Sequence, residues 1–332
     1  MKFDNTGIMC YRMNMKIVNI LKRILKKVVY NFSDLRKTAQ FWNQVDTAAS
    51  SEYWWNNKVI RNFIQKNITG DASLSWYTKK ISERPTPFGR TLTFGDGYGM
   101  AVEAFLTKRD TTEIVYLNIS KGEGLRFKKK IDELCINIPC SFIQADANTF
   151  DFSTLGFFDT IIDVGAFHHL KNFEFFFPQL NNQLNSDGIM YVDEYVGPSR
   201  WEFNQSVIDI INQWLTSLPK DLIACSKKVS RNEFIQLWKQ SNDPSEAIRS
   251  GELDQMLRRY FTLIEATSFG GTLLQPFFLT SHLKPCRLNI NNWHHTEIGK
   301  LESDRLVHIE NKLINSGEIQ KDYLYYVFKK KS

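Results

Sequence analysis

Long apolar runs are missing from this 332-residue sequence. No stretch reaches the ~18 apolar residues needed to span a bilayer, and no apolar segment followed by a small-residue cleavage site marks a secretory leader. Cysteine is sparse: Cys10, Cys135, Cys140, Cys225 and Cys286 are odd in number, widely spaced and without a C-x-x-C pair. Reduced thiols in a cytoplasmic protein are the expectation. Internal repeats and low-complexity segments are absent too. A content of 42% hydrophobic and 23% charged residues excludes a disordered, collagen-like or disulfide-scaffold chain and suffices for one large or two modest cores. Over most of the chain there is no excess of either charge. Residues 1–37 hold nine basic against two acidic residues, which leaves the remaining 295 at a net of −1. A neutral body disfavours nucleic acid as a partner, because that binding rests on neutralising phosphates.

The basic tail contains an amphipathic helical pattern. Across residues 13–32, Ile17, Ile20, Leu21, Ile24, Leu25, Val28 and Val29 recur at helical spacing with lysine and arginine between them. Such a helix either packs on the body or attaches reversibly to an anionic membrane, the inner face for a cytoplasmic protein. Residues 1–37 are therefore read as a basic extension and the aromatic-rich residues 38–88 as a helical cap segment. From residue 89 to 332 short apolar runs alternate with helical patterns: RTLTFG (90–95), EIVYLN (113–118), CSFIQA (140–145), FDTIIDVG (158–165) and GIMYVDEY (188–195) read as strands. A mostly helical insertion at about 219–258 and two late strands, YFTLIEA (260–266) and DYLYYVFKK (322–330), follow. The pattern predicts an α/β fold with a mostly parallel sheet, helices on both faces and an antiparallel edge strand.

The first strand runs into Gly95-Asp96-Gly97-Tyr98-Gly99 and then a helical pattern, a unit in which backbone can approach a ligand closely. Met100 and Val102 break the dinucleotide fingerprint, and no Lys-Ser/Thr pair completes a phosphate loop. The G-x-G-x-G spacing instead resembles the cofactor loop of class I S-adenosylmethionine-dependent methyltransferases. The similarity continues through the segments 116–120, 144–148, 158–170 and 185–192, in order, over roughly residues 85–330. Asp193–Trp201, Asp243–Ser250 and Phe269–Leu274 are further similar to a bacterial subgroup that modifies small molecules or glycans.

That resemblance implies a Rossmann-like seven-stranded fold and S-adenosylmethionine as cofactor. It implies that Gly95, Asp96, Gly97, Gly99, Val164 and Gly165 surround the methionine part, Asn118 and Ile119 the ribose, and Asp146 and Ala147 the adenine. Asn118 departs from the carboxylate usual at that position, Thr93 stands where many members carry an acid, and Asp96 puts an acid inside the loop. On the acceptor side, His168, Glu194 and Tyr195 follow the fourth and fifth strands, where open parallel sheets bind ligands. His168 or Glu194 is a candidate general base for a hydroxyl on a sugar or other small molecule; alternatively, the histidines anchor a helix and Glu194 pairs with Arg200. No metal site is expected, since His294, His295, Glu297 and Cys286 match no usual ligand spacing. A degenerate domain used as a binding or scaffold module is the competing expectation. Oligomeric state is not legible.

Overall fold

A computed structural model describes residues 34–44, 54–75, 83, 87–95 and 110–332. The basic pattern at 13–32, the loop residues Asp96, Gly97 and Gly99 and the helical pattern after them lie outside the described residues. Helix α1 covers residues 34–44. Helix α2 (Lys58–Thr69) starts where the Asn57 side chain accepts from Val59 N and Ile60 N and stops at Gly70, whose φ is +80°. Asn57 also donates to Ser303 at 2.8 Å, which ties this cap segment to the C-terminal part of the chain.

Seven strands form one sheet: β1 (Gly89–Phe94), β2 (Thr111–Asn118), β3 (Cys140–Gln144), β4 (Phe158–Val164), β5 (Leu184–Tyr195), β7 (Phe261–Gly270) and β9 (Tyr323–Lys330). Their spatial order is β3-β2-β1-β4-β5-β9-β7. The first four neighbour pairs are parallel, and β9 runs antiparallel between β5 and the outermost β7. The expected fold class holds, with its antiparallel strand one place in from the edge.

Consecutive side chains along a strand point to opposite faces, and here both faces are buried. Ile161 and Met190 pack with Phe173, Phe176 and Phe177 of α4 (Phe173–Gln183) and with Leu253 and Leu257 of α7 (Ser250–Tyr260). Ile162 and Tyr191 face a second core shared with α2, α3 (Lys121–Glu133), α5 (Gln205–Ser217) and α10 (Glu297–Ser316). Phe173, Phe176 and Phe177 of this aromatic run are thus packing, as its composition suggests, while Phe175 is exposed.

The segment at 219–258 is only partly helical. It holds α6 (Arg231–Gln240) and most of α7, but also β6 (Ile223–Cys225), which pairs antiparallel with β8 (Cys286–Leu288). That register sets Cys225 opposite Cys286 with Cα atoms 4.1 Å apart, and the two form a disulfide. The expectation of reduced thiols fails for this pair because the ribbon joins cysteines that are 61 residues apart in sequence. Among the described residues, Cys135 and Cys140 are free and exposed.

At the end of β7, Gly270 and Gly271 have φ of +96° and +86°. A Cβ on Gly271 would meet the Tyr323 ring at 2.1 Å, and one on Gly270 would meet Glu310 Oε1 at 2.2 Å. Glu310 is buried and accepts backbone N–H groups of Gly271, Leu273 and Leu274, the last two opening α8 (Leu274–Leu279). Burial pushes its carboxyl up to about 7 despite those three donors. The folded state therefore holds a proton that the unfolded chain releases near pH 4.5. Stability from this group is present below pH 4.5 and falls as pH rises through 7, by about 3 kcal/mol. Denaturant unfolding at pH 5 and 7.5 is expected to show a smaller difference for Glu310→Gln than for the native chain; an equal difference overturns the assignment.

Candidate active site

A cavity of about 590 Å³ opens at the carboxyl ends of β1, β2, β3, β4 and β5. Gly95, directly after β1, has φ of +60°, and a Cβ there would sit 2.2 Å from the Val164 carbonyl oxygen. Glycine lets β1 and β4 end in contact. Gly165 also has a positive φ, +63°, but a Cβ there would meet only His168 Cε1, at an ordinary contact distance of 3.9 Å. Any larger residue would take up cavity volume.

Asn118 and Ile119, beyond β2, and Asp146 and Ala147, beyond β3, line the same cavity. Asp146 Oδ1 accepts from Asn148 N at 3.0 Å and Asn148 Nδ2 at 2.8 Å, while Asn148 Oδ1 accepts from Lys171 N and Asn172 N. This ties the β3 loop to the start of α4 and leaves Asp146 Oδ2 without a partner among the described residues. Asn118 is turned differently from its expected pose. Its Oδ1 accepts from Ser120 N at 2.8 Å, and its Nδ2 donates to the Tyr116 hydroxyl at 3.0 Å. Ser120 caps α3, so the amide is engaged in holding the β2–α3 turn. Thr93 is fully buried, and its hydroxyl has no partner among the described residues.

Helix α1 closes one side of the cavity with Leu35, Thr38, Phe41 and Trp42. Asn43 Oδ1 accepts from Ser120 Oγ at 2.9 Å and Gly122 N at 2.7 Å, while Arg126 donates to the Trp42 carbonyl. At the other end of α1's contact, Thr38 and Trp42 Nε1 donate to Asp243 at 3.0 and 2.8 Å.

The acceptor-side candidates divide. Glu194 is 1% exposed and does not reach the cavity. Its carboxylate accepts from Phe167 N, His168 N and Tyr195 N and from His168 Nδ1 at 2.7 Å. Buried and saturated, it positions His168 and cannot serve as the base for an acceptor. It forms no pair with Arg200, whose guanidinium lies over the Trp238 ring. Tyr195 contributes its ring, and its hydroxyl donates to the Pro198 carbonyl at 3.1 Å. Burial, then Asp322, raises the Tyr195 pKa well above the ordinary phenol. His168 does line the cavity. Burial alone would lower its pKa, but the Glu194 carboxylate, followed by Glu246, holds it well above the usual imidazole range. Burial and then Glu194 also raise Asp163, fully buried beneath it, well above the carboxylate range.

Four residues at this end were not among the site candidates read from the sequence. His169 Nδ1 lies 3.1 Å from Ser245 Oγ and 3.4 Å from Asp243 Oδ2, and Glu246 approaches both histidines. Asp243, Ser245 and Glu246 come from the motif at 243–250, noted in sequence without a role. Ala247, next to Glu246, has φ of +47°, an unfavourable backbone for an L-residue. By contrast, His294 and His295 lie on α9 (Ile290–His295), away from the cavity.

Residues 92–192 match the family described as methyltransferase domain. Those residues form a methyltransferase domain, and the enzyme uses S-adenosylmethionine. A cyclopropane synthase from Mycobacterium tuberculosis is similar in fold: it is 15% identical, with 89% of this chain and 97% of that one covered, at a TM-score of 0.51. A coclaurine N-methyltransferase bound to N-methylheliamine and S-adenosylhomocysteine is 12% identical over 96% of this chain and 94% of its own, with a TM-score of 0.45. A plantazolicin methyltransferase is 16% identical over 93% of this chain and 100% of its own, with a TM-score of 0.40. No curated protein matches the chain. No helix among the described residues is long and apolar enough to cross a membrane.

Proposed function

We propose that the enzyme methylates a hydroxyl of a sugar or other small molecule. The observation that carries this reading is one cavity running from the glycine-lined ends of β1 and β4 to the His168–Glu246 cluster. Gly95, Val164 and Gly165 hold the methionine part of the cofactor. Asn118 and Ile119 flank the ribose, and the free Asp146 oxygen accepts from the adenine amino group, with Ala147 beneath it. The cofactor supplies an electrophilic methyl on a sulfonium; the chain supplies proximity and alignment. At the acceptor end Trp42, Trp54, Trp55 and Phe269 form apolar walls, while the Gln275 side-chain oxygen is buried without a partner among the described residues. Aromatic faces with a few unpaired polar atoms suit a compact polyhydroxylated molecule.

Calorimetric titration with S-adenosylhomocysteine tests the cofactor half, with micromolar binding expected. Release of S-adenosylhomocysteine in the presence of a panel of sugars and small alcohols tests the acceptor half; turnover confined to amines or carbon acceptors overturns it. Asn118→Asp is expected to tighten S-adenosylhomocysteine binding about tenfold, since a carboxylate adds a charge-assisted acceptor for the ribose. Unchanged or weaker binding removes Asn118 from the ribose contact.

A further inference from the structure

Two adjacent histidines present ring nitrogens to one carboxylate at the acceptor end of the cavity. His168 Nε2 and His169 Nε2 each lie 3.8 Å from Glu246 Oε2, and one ligand atom from each of the three residues lies within 4.8 Å of the other two. The short turn Phe167–His169 makes this possible by bringing the two ring centroids to 4.1 Å. Side-chain exposures of 12%, 14% and 21% make this a partly buried cluster, and all three residues line the cavity.

Hydrogen-bond partners fix which nitrogen of each neutral imidazole holds the lone pair. Glu194 receives three backbone N–H groups and is acceptor-only, so His168 Nδ1 carries the hydrogen that faces it. Ser245 gives its single hydroxyl hydrogen to Asp243 Oδ1 at 2.6 Å, so its oxygen receives the hydrogen on His169 Nδ1. In the deprotonated form that a metal ion requires, both lone pairs then sit on Nε2, aimed toward Glu246. Each histidine has a buried carboxylate behind it, Glu194 directly and Asp243 through and beside Ser245. Outer carboxylates of this kind orient imidazoles that ligate metal ions.

We propose that His168, His169 and Glu246 bind a divalent transition-metal ion whose remaining positions take a hydroxyl of the acceptor. Two imidazoles and one carboxylate suit zinc, manganese, cobalt or ferrous ion better than magnesium or calcium. Ligands about 2 Å from an ion stand about 3 to 3.5 Å apart, so the three atoms draw in by about 1 Å on binding. The proposal rests on methyl transfer to a hydroxyl and supplies its activation step, a Lewis-acid role with no change in oxidation state. The bound hydroxyl releases its proton to water. Its oxygen forms the bond to the methyl carbon as the carbon–sulfur bond breaks, and that electron pair stays on sulfur as the neutral thioether.

The test uses the full, tag-free chain, stripped with chelator and titrated with Zn²⁺ by calorimetry and Co²⁺ by visible absorption. One equivalent of either ion is expected to bind, with Co²⁺ bands of an imidazole-containing site. His169→Ala and Glu246→Gln are each expected to weaken binding about 100-fold while thermal unfolding shows a folded chain. Should a variant fail to fold, the native titration decides: no stoichiometric uptake overturns the site. S-adenosylhomocysteine titrated into the stripped chain keeps the two readings apart. Its binding without metal uptake overturns the ion site and leaves methyl transfer standing, whereas metal uptake without its binding overturns the acceptor role assigned to the ion.

Discussion

Gly95→Ala is expected to lower thermal stability by several degrees and to weaken S-adenosylhomocysteine binding by about 100-fold or more. A left-handed backbone at a non-glycine residue costs about 1–2 kcal/mol. A methyl 2.2 Å from the Val164 carbonyl adds an overpacking penalty of about 1–3 kcal/mol. Relief of that clash has to move the end of β1 away from β4, which displaces Gly95 from the methionine part of the cofactor. Gly165→Ala provides the contrast. Its φ of +63° carries the backbone penalty, but its Cβ would make only an ordinary contact with His168. It is expected to reduce cofactor affinity with a smaller loss of stability. Equal melting temperatures and equal affinities for Gly95→Ala and the native chain would remove both residues from the proposed cradle.

Glu194→Ala is expected to be the most damaging single change at the acceptor end. It leaves three buried N–H groups and the His168 ring without their shared acceptor, a loss of about 3–5 kcal/mol. The positioning role has its own signature: the proton resonance of His168 Nδ1–H, shifted by a 2.7 Å bond to carboxylate, is expected to disappear. Glu194→Gln should keep more stability, because its amide oxygen still accepts from part of the set. A folded Glu194→Ala chain with native melting temperature and an unmoved His168 signal would contradict the role.

Most of the sheet was legible because its strands are short apolar runs buried on both faces, such as Thr160-Ile161-Ile162 in β4. The residues that line the cavity at the ends of β1 to β4 were legible for a related reason: they follow directly on strands that the apolar runs mark. What stayed hidden depends on distant pairing. Glu246 reaches His168 from 78 positions further along the sequence only because α4 and α7 pack together, with Arg249 on α7's threshold gripping Glu174 at 2.9 Å. The fate of Glu194 was equally unreadable, since a carboxylate at the end of a strand is exposed or saturated according to the loop that crosses it. Asn118 shows a third limit: its place at the end of β2 suggested a ribose contact, but the nearest N–H, on Ser120, claims the amide oxygen. The Cys225–Cys286 pairing was invisible for want of any sign of the β6–β8 ribbon, whose strands are three residues each.

The reversed strand β9 also dictates an order of assembly. Within the seven-stranded sheet β7 pairs only with β9, and Tyr195 on β5 meets Tyr323 on β9 more than a hundred residues later in the sequence. As the chain leaves the ribosome, β1 to β5 can zip together first while β5 waits as a bare edge. Bare edges attract other chains, and closure over so long a loop is slow. Tyr195 and Tyr323 both line the cavity. The pocket is therefore completed at the last seam to form, and a nascent chain stalled before β9 carries the β1–β5 side of the cavity without the wall that Tyr323 supplies.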